Sequence, residues 1–221
     1  MILDMHGDWT AAPLVALDLE GSGAQDHDDE AILEIAVVPI TSGQPDAPAA
    51  YTTLVNPGRV IPRRPWISPG LTSTALAAAP SPQEVAPELA QKVSGHVIVG
   101  HNVGVDWRLL HRRHPAIEPA ALIDTLRLAR QLCPGGGNSL TALTARLDLT
   151  GQVESLAAGS QPHRALWDTI ATALLLPALI ARRWPSGATL AALLEAAAID
   201  LPGGHAPARG DIAQDTLFGP A

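Results

Sequence analysis

Asp18 and Glu20 stand two residues apart in the apolar stretch Pro13 to Glu20 (PLVALDLE). On a β-strand that spacing puts both side chains on one face. Carboxylates held side by side repel each other and resist ionising unless a cation lies between them, so the pair points to a divalent metal with oxygen ligands. A solvated strand end is the alternative. Two later segments carry compatible chemistry. His101 to Asp106 (HNVGVD) follows the short apolar run Val97 to Gly100, which sets Asp106 at the start of a helix beside the end of a buried strand. His163 to Asp168 (HRALWD) opens the long apolar stretch Arg164 to Arg183. Five positions correspond to about 500° at 3.6 residues per turn. In one continuous helix His163 and Asp168 would face roughly 140° apart, so His163 is expected just before the helix and Asp168 inside it.

The elements that must position these groups follow from periodicity. Pro13 to Glu20 and Ala31 to Ile40 read as adjacent strands joined by a Gly- and Asp-rich turn, and Tyr51 to Val55 as a third. Pro82 to Ser94 carries Val85, Leu89 and Val93 at four-residue spacing behind Ser81, a helix start signal. Val97 to Gly100 reads as a buried strand. Helical patterns recur at Val105 to Arg113, Thr125 to Leu132, Leu140 to Leu147, Arg164 to Arg183 and Thr189 to Ile199. Strands followed by alternating helix and strand predict a mixed α/β fold. With 47% hydrophobic and 16% charged residues, 221 residues suffice for a packed core without staples. The lone Cys133 can form no disulfide within the chain.

In this order the three segments resemble the exonuclease motifs of the DEDDh family of 3′-to-5′ exonucleases, which includes polymerase III epsilon subunits, ribonuclease T and oligoribonuclease. The resemblance covers roughly Leu14 to Arg183. It extends to Ile32 to Val38 with Glu34, to Leu54 to Gly58, to Asp124 to Leu126 with Leu128 to Arg130, and to Ser139-Leu140. It implies an RNase H-like mixed sheet flanked by helices and two divalent ions, Mg²⁺ or Mn²⁺. Asp18, Glu20, Asp106 and Asp168 would be the metal ligands and His163 the general base. Histidine suits that role because its ordinary pKa near 6.5 lets it take a proton from water at neutral pH. The resemblance also implies a substrate of single-stranded DNA or RNA 3′ ends. DNA is favoured; an exoribonuclease or oligoribonuclease, or a non-catalytic nucleic-acid or clamp-binding module, is the alternative. The chain departs from the family pattern in three places. Gly21-Ser22 replaces two threonines, Ile67 to Leu71 (ISPGL) replaces Ile-His-Gly-Ile, and Val105 replaces an aromatic residue.

Gly21, Ser22, Asn102, Arg64 and Trp66 are the substrate-binding candidates, Trp66 as a platform on which a base could stack. Acidic residues exceed basic ones by 22 − 14 = 8, so a polyanion must be met locally. Arg59, Arg63 and Arg64 in one loop, and Arg108 with Arg112 on one helix face, could do so, although a solvated basic face explains them equally well. His111 and His114 are expected at the surface. Four parts are expected: an extension over 1–12, the exonuclease domain over 13–184, a helical appendage over 185–201 and a flexible tail over 202–221. In the tail, Gln214 to Phe218 (QDTLF) resembles the short peptide that docks bacterial replication proteins on the sliding clamp, with Gln214, Leu217 and Phe218 as anchors, so a clamp or a DNA polymerase is a possible partner. The chain lacks a secretory signal pattern at Met1 to Ala12. Its longest mainly apolar run, Ile170 to Ala181, is shorter than the roughly 20 residues that span a bilayer. No membrane contact and a cytoplasmic location are expected.

Overall fold

The computed structural model describes residues 3–201; the candidate clamp peptide with Gln214, Leu217 and Phe218 lies outside the described residues. The chain opens with a single 3-10 turn at Trp9–Ala11, then runs through strand β1 (Leu14–Gly21), a 3-10 segment (Ala24–Asp29), β2 (Ile32–Thr41), β3 (Gln44–Pro45) and β4 (Tyr51–Leu54). Helices α1 (Ser73–Leu76) and α2 (Pro82–Val93) lead to β5 (Val97–Gly100), α3 (Val103–Arg113) and β6 (Ala121–Asp124). Helices α4 (Thr125–Leu132), α5 (Leu140–Arg146), α6 (Thr150–Leu156), α7 (Ala165–Arg183) and α8 (Leu190–Ala197) follow, with β7 (Ala198–Ile199) at the end.

The strands form one mixed sheet in the order β3-β2-β1-β5-β6-β7, with β4 also paired to β2. The central strand β1 runs antiparallel to β2 and parallel to β5. Its first four residues are buried, as a strand covered on both faces must be. Leu14 and Ala16 join Val97, Val99 and Ile123 in the core beneath α7, α4 and α8. Val15, Leu17 and Leu19 pack with Val85, Leu89, Val103 and Trp107 beneath α2 and α3. By the same alternation Asp18 and Glu20 continue the α7 face of the strand.

Local signals account for the helices. Ser81 and Glu84 form a reciprocal capping box at the start of α2, and its Val85, Leu89 and Val93 are buried as their spacing predicts. Helix α7 is long and apolar enough to cross a membrane, but 67% of its apolar window is buried, as befits the central core helix. The segment after α7 is built into the fold: β7 pairs with β6 and α8 buries Leu190, Leu193 and Ala197. The N-terminal segment packs on it, with buried Trp9 and hydrogen bonds from Leu190 and Ala191 to the Gly7 and Met5 carbonyls. One expectation is corrected: His114 is buried at 7% exposure, and His111 stacks on Trp107 with its Nδ1 unpartnered, because that side of α3 packs inward.

Candidate active site

Asp18, Glu20 and Asp168 converge at the end of β1, and one carboxylate oxygen from each lies within 4.8 Å of the others. Strand alternation supplies the first two, and the first turn of α7 supplies the third. Asp106 arrives from the opposite layer. Its strand, β5, runs parallel to β1 and ends in a tight turn at Gly100, where a Cβ would sit 2.7 Å from Val103 Cβ, so only glycine lets α3 start there. Asn102 takes the left-handed conformation (φ 67°) and its N–H donates to Asp124 Oδ1 at 2.8 Å. Asp106 thereby lands in the first turn of α3, and its Oδ1 accepts from Leu19 N–H, between Asp18 and Glu20, at 3.0 Å.

These four carboxylates form no ion pair with any described residue. Burial, then repulsion from Asp106, Asp168 and Glu20, pushes Asp18 well above the usual carboxylate range. Burial pushes Glu20 up to about 8 despite a hydrogen bond from Ser68 Oγ. Asp106 and Asp168 are raised mainly by burial. Recessed negative charge without a counter-charge is the electrostatic signature of a cation site, and an all-oxygen donor set suits a hard divalent ion. The residues fit the metal that the fold implies.

His163 precedes α7, exposed and in the left-handed conformation (φ 64°), with its backbone N–H 3.4 Å from Asp168 Oδ1. Histidine before the helix and aspartate within it is the arrangement that their spacing predicts. The next residue, Arg164, grips Glu34 on β2 through two hydrogen bonds, Nε at 2.8 Å and Nη2 at 2.7 Å.

The remaining candidates line the mouth. A cavity of about 180 Å³ is bounded by Glu20, Gly21, Gly23, Trp66, Val105 and Asp106, with Trp66 and Val105 exposed at its rim. A larger cavity, about 470 Å³, lies at the far end of β1 between Pro13, Ile40 and His96, and no acidic residue lines it. Ser22 is fully buried: its hydroxyl donates to Asp26 and accepts from Ala31 N–H at 3.0 Å, so it shapes the cleft wall from behind. Trp66 Nε1 donates to the Ser22 carbonyl at 3.3 Å, and a Cβ on Gly23 (φ 103°) would collide with that ring. Arg59 and Arg64 are engaged by Asp26, and Arg108 and Arg112 by Glu30. Arg63 alone of the candidate arginines forms no ion pair among the described residues.

Sequence reasoning gave no role to three contributors, Ser68, Asp26 and Glu34, the last of which it named only within the stretch that carries the resemblance. Ser68 was visible only as a departure from the family pattern. The partners of Glu34 and Asp26 are remote in sequence, so spacing gives no signal for them.

The exonuclease (RNase T) family profile matches residues 15–176. The chain belongs to the DEDDh 3′-to-5′ exonuclease family. A DNA polymerase III subunit epsilon-like protein of Rhodobacter capsulatus is 36% identical over 76% of this chain and 24% of its own length. The DNA polymerase III epsilon subunit of Aquifex aeolicus is 27% identical over 82% of this chain and 87% of its own. This exonuclease chain thus spans about a quarter of the first relative. Among solved structures, exonuclease X in complex with 5′-overhanging duplex DNA superposes with a TM-score of 0.62 at 30% identity, over 82% of this chain and 98% of that one. E. coli exonuclease I with a dA16 oligonucleotide shares the RNase H-like fold, at a TM-score of 0.58 and 17% identity. The family is dependent on divalent metal, in keeping with the acidic cluster of this exonuclease.

Proposed function

We propose that the protein hydrolyses the terminal phosphodiester bond at the 3′ end of single-stranded DNA, releasing nucleoside 5′-monophosphates, with two Mg²⁺ or Mn²⁺ ions held by Asp18, Glu20, Asp106 and Asp168. The observation that carries the reading is the convergence of Asp18, Glu20 and Asp168, from β1 and α7, with Asp106 of α3 held against the same strand end by Leu19 N–H and no ion pair to any of the four among the described residues. Ions held there would generate the nucleophilic hydroxide and steady the leaving 3′ oxygen. The chain's own residues do the rest. His163, exposed beside Asp168, accepts the proton of the attacking water, a role worth about 10²–10⁴-fold in rate. Trp66 offers a π-face at the rim, and the slot between Gly21 and Val105 admits a terminal nucleoside over Glu20 and Asp106. Arg63 is free to meet a phosphate.

DNA is favoured over RNA because the epsilon subunit and exonuclease X relatives carry DNA-directed names. The same names support work beside a polymerase, with Gln214, Leu217 and Phe218 as the clamp-docking anchors. Denaturing gels with 5′-labelled single-stranded DNA and matched RNA, in Mg²⁺, Mn²⁺ or EDTA, test the assignment. A metal-dependent ladder that shortens the DNA from its 3′ end, and is absent in Asp168→Asn, is expected. Faster shortening of the RNA would transfer the reading to an exoribonuclease, and no shortening of either would leave a binding module.

A further inference from the structure

We propose that Glu34 and Arg164 are a positioning pair that holds His163 where it can reach the attacking water; the inference rests on the reading of His163 as the base. His163 occupies a left-handed backbone conformation (φ 64°) that non-glycine residues adopt only when their surroundings impose it. Its imidazole forms no hydrogen bond with any described residue, so its neighbours in the chain must set its place. Behind it, the Arg164 fork donates to both Glu34 oxygens at 2.8 and 2.7 Å, and Ala165 N–H donates to Glu34 Oε2 at 3.3 Å. Three donors from two consecutive residues therefore grip one buried carboxylate, a planar arrangement that only arginine can match. Within the chain, the His163 N–H reaches Asp168 Oδ1.

The anchor point is what gives this grip a role in the reaction. Glu34 on β2 lies directly across from Glu20 on β1 in the sheet register, so the base-bearing segment is referenced to the strand that presents two carboxylates of the site. Helix α7 does not need the pair for its own place, because it is packed along its length by Trp167, Ile170, Leu174, Leu175 and Leu179. Partly buried ion pairs of this kind seldom improve stability over apolar replacements, and this one sits at the single turn where geometry decides whether His163 faces the site. Arg164 also balances Glu34, which otherwise would add one more unpartnered charge to the raised carboxylates nearby.

The test is a double-mutant cycle on the full chain, read by single-turnover kinetics on a 5′-labelled oligonucleotide, with the Mn²⁺ affinity of the same proteins from calorimetry. Glu34→Gln is expected to lower kcat roughly 10- to 100-fold, the cost of a misplacement of about 1 Å, with KM unchanged and Mn²⁺ affinity changed far less than kcat. In a His163→Ala background the same substitution is expected to add no further loss. In metal-free protein the His163 Cε1–H proton signal is expected to shift or broaden in Glu34→Gln. Equal losses in both backgrounds, or weakened Mn²⁺ binding with an unmoved His163 signal, would overturn the inference. Arg164→Lys, which keeps the charge and loses the fork, is expected to reproduce the kcat loss and carries the test if Glu34→Gln does not fold. An active parent whose Glu34→Gln and Arg164→Lys variants match it refutes this inference alone. A parent inert on every end refutes the exonuclease reading and the inference with it.

Discussion

Asp26 and Glu30 belong to the loop at the mouth of the site, while Asp18, Glu20, Asp106 and Asp168 form its floor, and the two sets of carboxylates have opposite surroundings. Asp26 accepts from Ser22 and from Arg59 and Arg64, and Glu30 accepts from Arg108 and forms a looser ion pair with Arg112 at 3.6 Å. The Ser22 hydroxyl, Arg59 and Arg64 hold Asp26 well below the usual carboxylate range. Among the described residues the floor has only the Ser68 hydroxyl on Glu20 and backbone N–H groups on Asp106 and Asp168. Neighbouring acidic groups thus divide into ties that fasten a loop and a set whose charge waits for a cation. Neither count nor spacing of acidic residues separates the two; the partners do.

The largest effect expected from this contrast is at the floor. Asp18→Asn should lower the exonuclease rate by several kcal/mol of lost charge stabilisation, on the order of 10³-fold, yet raise the Tm of metal-free protein, because it removes a repelled, recessed charge. Kinetics and thermal melts in EDTA on the same sample check both halves, and a lowered Tm would refute the claim that this charge is uncompensated. Next comes Ser68→Ala, which strips Glu20 of its one side-chain donor among the described residues. Mn²⁺ affinity should fall about 10- to 100-fold, as for other groups that orient a metal ligand. Calorimetric titration measures it.

A third expectation concerns pH. Glu20 binds its proton more tightly when folded, at about 8 against 4.5 for an ordinary glutamate. Its charge therefore costs nothing below about pH 4.5, and in EDTA the fold loses stability as pH rises from there through about 8. Asp18, Asp106 and Asp168 act in the same direction. Melting temperatures in EDTA should fall across that range, and Mg²⁺ should flatten the profile; a profile unaffected by Mg²⁺ would deny the floor its cation. The smallest effect is expected at the loop. Asp26→Asn should destabilise by about 1 kcal/mol, the scale of hydrogen bonds to partly exposed charges, which is opposite in sign to Asp18→Asn. Chemical denaturation measures it.

The sequence shows the floor of the site because strand alternation and helix starts are local. Asp18 with Glu20, Asp106 at the opening of α3 and His163 ahead of α7 all follow from residues within one or two turns of them. Val97–Gly100 and Thr125–Leu132 match their expected bounds, and β2 and α7 differ from theirs by one residue. Strand β6 escapes detection because Ala121–Asp124 is four residues long and runs straight into α4, with no turn signal between them. Helix α6 has no side-chain cap to announce it, and β7 is too short for a period. The ties escape for another reason. Ser68 is 48 positions from Glu20 and Arg164 is 130 from Glu34, and only the folded sheet sets them face to face. Four of the five arginines that look like phosphate ligands in one dimension, Arg63 being the exception, find Asp26 or Glu30 in three.

Asp18 is among the first residues of the domain to be synthesised, and Asp168 rides on the long helix that packs, with α4 and α8, on one face of the central strand. A chain still growing on the ribosome, or clipped before α7, therefore lacks both a carboxylate of the acidic cluster and the α7 residues that pack on β1. The third carboxylate of the cluster and the α7 share of the core therefore arrive on one helix, so the cluster is completed only as that face of β1 is covered.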